Sequence, residues 1–255
     1  MARKRISLTL AEELVDKIDR EKEKNKINNR SRAVETFLKE YFESKSIRKA
    51  VILCGGDEKP PKCAEKAEKK RIIERKLEHL EASGVSKVII ATDREEKEIE
   101  KILDKDEYDL SIEVSIEETP LGTAGCLKPI KEELNETFIL TNGDVVCNID
   151  VEDMLKIHRK NSPEATMALT TTEETSNYGV VNLKGNKIVG FEEKPEKAST
   201  KLINAGFYIL EPEIIGRIER KESKKVEIEQ IFEELADEDV LKGYVYEGEW
   251  HDYGN

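Results

Sequence analysis

The chain has 255 residues, 38% of them charged and 5% aromatic, with a formal net charge of −12. That size accommodates one α/β domain plus a small module. The sequence offers no apolar run near the roughly 20 residues of a membrane span, and Met1–Arg5 lead into no apolar signal segment, so a cytoplasmic protein away from membranes is expected. The four cysteines (Cys54, Cys63, Cys126, Cys147) lack C-x-x-C spacing, which favours reduced, mostly buried thiols over a metal cluster. The charge is unevenly spread: residues 1–49 carry a net of +5 and the remainder −17. A basic head on an acidic body suggests an anionic partner for the head, with nucleic acid the first candidate.

Arg5 to Leu10 alternates polar and apolar residues with period two, the pattern of a half-buried strand. From Ala11 the period becomes helical. Leu14, Val15 and Ile18 line one face, Asn28-Asn29 makes a turn, and Val34, Phe37, Leu38 and Tyr41 line a second helix capped by Asn29 or Ser31. One strand and two helices cannot bury a core alone, and the strand leaves unpaired backbone groups. Pairing with a second copy removes both problems, so a homodimer through residues 1–46 is expected.

The order strand, helix, helix, with NRSRAV opening the second helix, resembles the ribbon-helix-helix repressors. The resemblance implies double-stranded DNA as partner. Arg5, Ser7 and Thr9 would face the bases, and Asn29 to Ser31 would lie against phosphate. A dimerisation clip without a DNA role is the alternative. Residues 47–255 form the second expected domain, after a short polar linker.

Ala50 to Leu53 is a short apolar run ending in Gly55-Gly56. Such a run suits a strand buried on both faces. The glycines permit either a plain turn or close approach of the backbone to a phosphate or base. Ile73, Leu77 and Leu80 mark a helix stopping at Gly84, Lys87 to Thr92 a second strand, Glu95 to Leu103 a helix, and Ser111 to Ile116 a third strand. Alternating strands and helices with short joints predict a mostly parallel, Rossmann-like α/β sheet that binds ligands at the carboxyl ends of its strands. EETPLGTAG (residues 117–125) reads as a loop followed by a helix through Cys126 to Leu134. Phe138 to Leu140 is a further strand, running into Thr141-Asn142-Gly143-Asp144. By pattern alone that Asn-Gly signals a hairpin.

These stretches together resemble the sugar-1-phosphate nucleotidylyltransferases. The glycine pair and Pro61-Lys62 match the opening of that family's signature, and residues 117–124 match its E-x-x-P-L-G-T-A motif. Tyr178-Gly179-Val180-Val181, Glu193-Lys194-Pro195, Asn204-Ala205-Gly206 and Trp250-His251-Asp252-Tyr253-Gly254 follow in the family's order. The resemblance implies that Gly55, Gly56, Pro120 and Gly122 hold the nucleotide. Gly179, Glu193, Lys194 and Asn204 would hold the sugar phosphate. Asp144 and Asp252 would carry Mg²⁺, with Lys62 beside the reacting phosphates, and the Asn142-Gly143 step becomes a strand end rather than a hairpin. The family's Gly-Thr-Arg is missing between Gly56 and Pro61, where Asp57 and Glu58 stand instead. Loss of a transition-state cation of that kind costs on the order of 10³-fold or more. The expectation is therefore a DNA-binding regulator whose degenerate transferase body senses a nucleotide or nucleotide sugar. An active sugar-1-phosphate nucleotidylyltransferase is the alternative.

Overall fold

The computed structural model describes residues 6–24, 27–43, 46–55, 62–93 and 107–254, in two compact units, 1–45 and 46–255. The first unit holds α1 (Glu12–Lys24) and α2 (Arg30–Glu43). Acids open α1 and lysines close it, as the helix dipole favours. Asn29 Oδ1 accepts the Arg32 N–H at 2.9 Å, so Asn29 rather than Ser31 makes the cap. Arg30 reaches back to Asp19 at 2.8 and 2.5 Å. The expected strand is not formed: residues 6–10 have no ladder partner among the described residues. An edge of unpaired N–H and C=O groups becomes a strand only beside another. Of the ribbon-helix-helix pattern, the structure thus contains the two helices alone. Ser7, Thr9, Asn29 and Ser31 are exposed, and Arg5 lies outside the described residues.

The second unit opens with β1 (Lys49–Leu53), a two-residue hairpin of β2 (Lys66–Ala67) and β3 (Lys70–Arg71), and α3 (Ile72–Ala82). There follow β4 (Lys87–Thr92), β5 (Ser111–Ile116), β6 (Phe138–Asn142), β7 (Val145–Cys147), α4 (Val151–Asn161) and β8 (Ala165–Thr171). The remainder comprises β9 (Gly179–Lys184), β10 (Lys187–Glu193), β11 (Leu202–Leu210), α5 (Glu213–Arg220), α6 (Ile228–Asp237), β12 (Leu241–Val245) and β13 (Trp250–Asp252). Among the described residues no helix is long and apolar enough to cross a membrane. The helix expected over Glu95 to Leu103 lies outside them.

Among the described residues nine strands form one sheet in the order β5-β4-β1-β6-β11-β8-β12-β10-β9. The first four run parallel, as the alternating pattern predicts. Beyond β6 the sheet is mixed rather than mostly parallel: β11 pairs antiparallel with β6 and β8, and β10 with β9 and β12. For β9 and β10 the physical reason is local. The turn at Lys184-Gly185-Asn186, with Gly185 at φ +66, is too short for a crossover and returns the chain antiparallel.

Adjacent residues on the central strands enter opposite cores. Ile52, Ile139 and Phe207 join Ile73 and Leu77 of α3 on one face. Val51, Leu140 and Tyr208 join Ile231 and Phe232 of α6 on the other. Period-two side-chain alternation makes this division, and continuous apolar runs are what a sheet covered on both faces requires. All four cysteines are buried free thiols.

One sequence expectation fails in this unit, and one pattern read two ways is settled. No continuous helix runs through Cys126 to Leu134: a helical turn at Gly122–Gly125 gives way to tight turns and a 3₁₀ turn at Lys131–Glu133. Pro129, without an N–H, prevents helix through that stretch. The Asn142-Gly143 step ends β6, as the family resemblance implies, and makes no hairpin of the kind its pattern alone suggests, because β7 pairs with β13 instead of β6.

Candidate active site

The parallel registers align the ends of β1, β4 and β6, with Leu53 opposite Ala91 and Asn142. Two cavities open at this carboxyl edge, where parallel sheets bind ligands. The larger, about 490 Å³, is lined by Gly55, Asp93, Glu117, Pro120, Gly122, Thr123, Asn142, Asp144 and Glu227, among others. The smaller, about 270 Å³, is lined by Asn142, Asp144, Tyr178, Gly179, Glu193, Lys194, Asn204, Glu229, Trp250 and Asp252, among others. Asn142 and Asp144 belong to both.

The floor of the larger cavity is the 117–125 loop, held by a segment a hundred residues away. Ala124 and Gly125 donate to the Val226 carbonyl at 2.9 and 3.0 Å, and Val226 N–H donates to Leu121 O at 2.8 Å. Glu227 accepts from the Thr123 N–H at 2.9 Å and from its hydroxyl at 3.1 Å. Gly122 sits at φ +82, and a Cβ there would come within 2.6 Å of Val226 O. Only glycine satisfies both the backbone conformation and the close approach.

Asp144 stands where β6 and β7 meet. Gly143 makes the corner: its N–H donates to Leu53 O at 2.8 Å, and a Cβ would overlap that same oxygen. The β7–β13 ladder pairs Val145 with Asp252, bringing the second carboxylate alongside the first. A Cβ at Gly254 would overlap Asp144 Oδ2 and lie 3.2 Å from Asp252 Oδ1, so the two carboxylates converge over a glycine. Among the described residues no cluster of three or more His, Cys, Asp or Glu could hold a metal unaided. Two carboxylates at one point fit a hard divalent cation that takes its other ligands from phosphate and water.

Under this site lies Lys76 of α3, a buried lysine donating to Thr141 Oγ1 at 2.8 Å. Burial pushes its ammonium down, while Cys147 and Asp144 nearby push it back up. The sequence holds one signal of this: with Ile73, Leu77 and Leu80, Lys76 completes the i, i+3, i+4, i+7 stripe that faces the core.

In the smaller cavity, a Cβ at Gly179 would strike the Phe191 ring at 2.6 Å and Glu193 Oε2 at 2.9 Å, so this glycine makes room for the carboxylate. Burial, and then the charge of Glu229, push the Glu193 carboxyl up to about 7. Lys194 sits at φ +48, a strained conformation that non-glycine residues adopt mainly at functional sites; its N–H donates to Tyr178 O at 3.1 Å. Asn204 donates to the Tyr208 hydroxyl at 2.7 Å and accepts from Gly206 N–H at 3.0 Å, so its side chain also shapes the irregularity in β11. Trp250 closes the cavity, its indole N–H on Ala205 O at 3.1 Å and its ring edge-on to Tyr178.

Gly55, Pro120, Gly122, Gly179, Glu193, Lys194, Asn204, Asp144 and Asp252 are thus gathered at one edge of the sheet. Lys62 ion-pairs with Glu65 at 3.5 Å and is not among the described residues that line either cavity. Gly56 lies outside the described residues. Sequence reasoning missed Asp93, Lys225, Glu227 and Glu229, which become neighbours of the motifs only through the fold. It also passed over Glu117, although that residue opens the motif it quoted.

Residues 49–255 match the family described as Nucleotidyl transferase. The chain is 36% identical over 192 residues to the mannose-1-phosphate guanylyltransferase catalytic subunit beta of Danio rerio, covering 72% of this chain and 53% of the relative. It is 37% identical over 192 residues to the mannose-1-phosphate guanyltransferase of Yarrowia lipolytica, covering 72% and 52%. The chain therefore spans about half the length of the curated relatives it matches. The structure of HddC from Yersinia pseudotuberculosis complexed with GMP-PN superposes with a TM-score of 0.67 at 25% identity, covering 82% of this chain and 95% of that one. These findings overturn the expectation of a DNA-binding regulator with a degenerate body. The relatives are enzymes, and the paired carboxylates and both cavities are built here. The missing arginine is one charge among the many on which such catalysis rests.

Proposed function

Because the chain belongs to the nucleotidyl transferase family, we propose that residues 47–255 form a working sugar-1-phosphate nucleotidylyltransferase domain. It would convert a nucleoside triphosphate and a sugar 1-phosphate into a nucleotide sugar and pyrophosphate. The names of the curated relatives and of the complexed neighbour favour GTP as donor and mannose 1-phosphate as acceptor. The observation that carries the reading is the seam: two cavities share Asn142 and Asp144, with Asp252 adjoining.

In this reading the nucleotide occupies the larger cavity, on the backbone of Gly55, Pro120 and Gly122, and the sugar phosphate the smaller. Lys194 would hold the sugar phosphate as a point charge, with Glu193 and Asn204 on hydroxyl groups and Gly179 giving them room. A phosphate oxygen of the sugar attacks the α-phosphorus, a new P–O bond forms, and the bond to the β-phosphate breaks, releasing pyrophosphate. Asp144 and Asp252 would hold Mg²⁺, which supplies neutralisation of phosphate charge. The protein's share is to align two anions whose repulsion otherwise keeps them apart. Lys62 would join from the signature segment. Pyrophosphate release with Mg²⁺ across a panel of nucleoside triphosphates and sugar 1-phosphates tests the proposal. Turnover with at least one pair is expected, and Asp144→Asn should reduce it about 10²- to 10³-fold without lowering the melting temperature. A wild type that turns over no pair would refute the reading.

Residues 1–46 are proposed as a separate module that closes by pairing with a second copy. Support comes from Ile6, Leu8, Leu10, Leu14 and Leu38, which the single chain leaves 37–65% exposed. Scattered apolar residues on a surface are ordinary, but five on so small a unit leave it without a core.

A further inference from the structure

We infer that Lys76, buried beneath the seam between the two cavities, is a positioning residue whose charge draws polyphosphate toward the carboxylates above it; this deepens the transferase reading and rests on it. A site for two phosphorylated substrates calls for cations. Among the described residues, the lining of the larger cavity sets Lys225 against Asp93, Glu117 and Glu227. That of the smaller sets Lys194 against Glu193 and Glu229. Asp144 adds a further carboxylate to both. By themselves those acids would repel the ligand.

Lys76 approaches from the core side. It shares a face of α3 with the buried Ile73, Leu77 and Leu80, and the residue is 6% exposed. Its ammonium donates to Thr141 Oγ1 at 2.8 Å, and the Thr141 hydroxyl gives its own proton to Gly206 O at 3.2 Å. Thr141 lies opposite Phe207 of β11 and directly precedes Asn142, which lines both cavities. Cys147, Asp144, Cys54 and Cys63 are near enough for their charge to act on the ammonium, and Asp144 is the carboxylate among them. A buried ammonium that serves packing alone would be better replaced by an apolar side chain of similar length. A charge in a low-dielectric surround is also little screened, so its field reaches the cavity floor. Fixed under Asp144, it lowers the cost of bringing phosphate oxygens to the paired carboxylates, and by more as the ligand carries more charge.

Calorimetric titration of the full chain in Mg²⁺ with GMP, GDP and GTP tests this. Lys76→Met, similar in length and uncharged, should weaken GTP about tenfold or more and GMP about threefold or less. Its melting temperature should stay level or rise, because a buried ion has been removed. Lys76→Gln, whose amide can still donate to Thr141, should lose the same affinity. Equal weakening of all three nucleotides, or a melting temperature that falls in both variants, makes the lysine structural and overturns the assignment. Wild-type affinity for GTP in either variant overturns it too. Each of these outcomes leaves the transferase reading intact. A wild type that binds none of the three nucleotides overturns both.

Discussion

Glu193 illustrates how much one carboxylate's surroundings decide. Its neighbours in the cavity wall include Glu229, and burial with that charge holds its carboxyl near 7. Below that pH the group is protonated and neutral; above it the charged form accepts hydrogen bonds from sugar hydroxyls with roughly twice the strength of a neutral partner. The KM for sugar 1-phosphate should therefore fall as pH rises through about 7, and Glu193→Gln should flatten that limb. Initial-rate measurements between pH 5.5 and 8.5, at saturating triphosphate, check it. The Glu-Lys-Pro order was legible in the sequence. The raised carboxyl was not, because Glu229 reaches the cavity from α6, 36 residues away along the chain.

The elements show the same division. β4 and β5 occupy the residues their patterns predict: a buried parallel strand needs little beyond the continuous apolar run of β4, and β5, at the edge of the sheet, shows the alternation of a half-covered strand. The 117–125 loop differs: its motif was readable, but its rigidity comes from Val226 and Glu227. Gly122→Ala should lower stability by about 1–3 kcal/mol, from a positive φ and contact with the Val226 carbonyl. It should also raise the KM for nucleotide more than for sugar phosphate. Urea unfolding followed by the intrinsic fluorescence of Trp250 gives the first quantity, and steady-state kinetics the second. A variant with wild-type stability would show that the loop adapts.

At the scale of the molecule, the 1–45 unit and the transferase unit each hold together by their own contacts. If apolar residues of the first unit close against a second copy, Ile6→Glu with Leu8→Glu should convert a dimer to a monomer in sedimentation equilibrium at micromolar concentration. Nucleotidyl transfer by 47–255 should change less than about twofold. A wild type that sediments as a monomer would sink the pairing. Charge asymmetry had suggested a nucleic-acid partner for this unit, but a basic head sets only a long-range preference for anions. It names no ligand, and the relatives point elsewhere. By itself the sequence determined the parallel half of the sheet, the helix caps and the order of the motifs, because periodicity, glycine and proline act over a few residues. Only the tertiary structure decided that β7 would pair with β13 and bring Asp252 to Asp144. It alone built the wall of acids around the larger cavity and set β11 antiparallel between β6 and β8. Those outcomes depend on which distant strands compete for the same edge, and no local pattern encodes that competition.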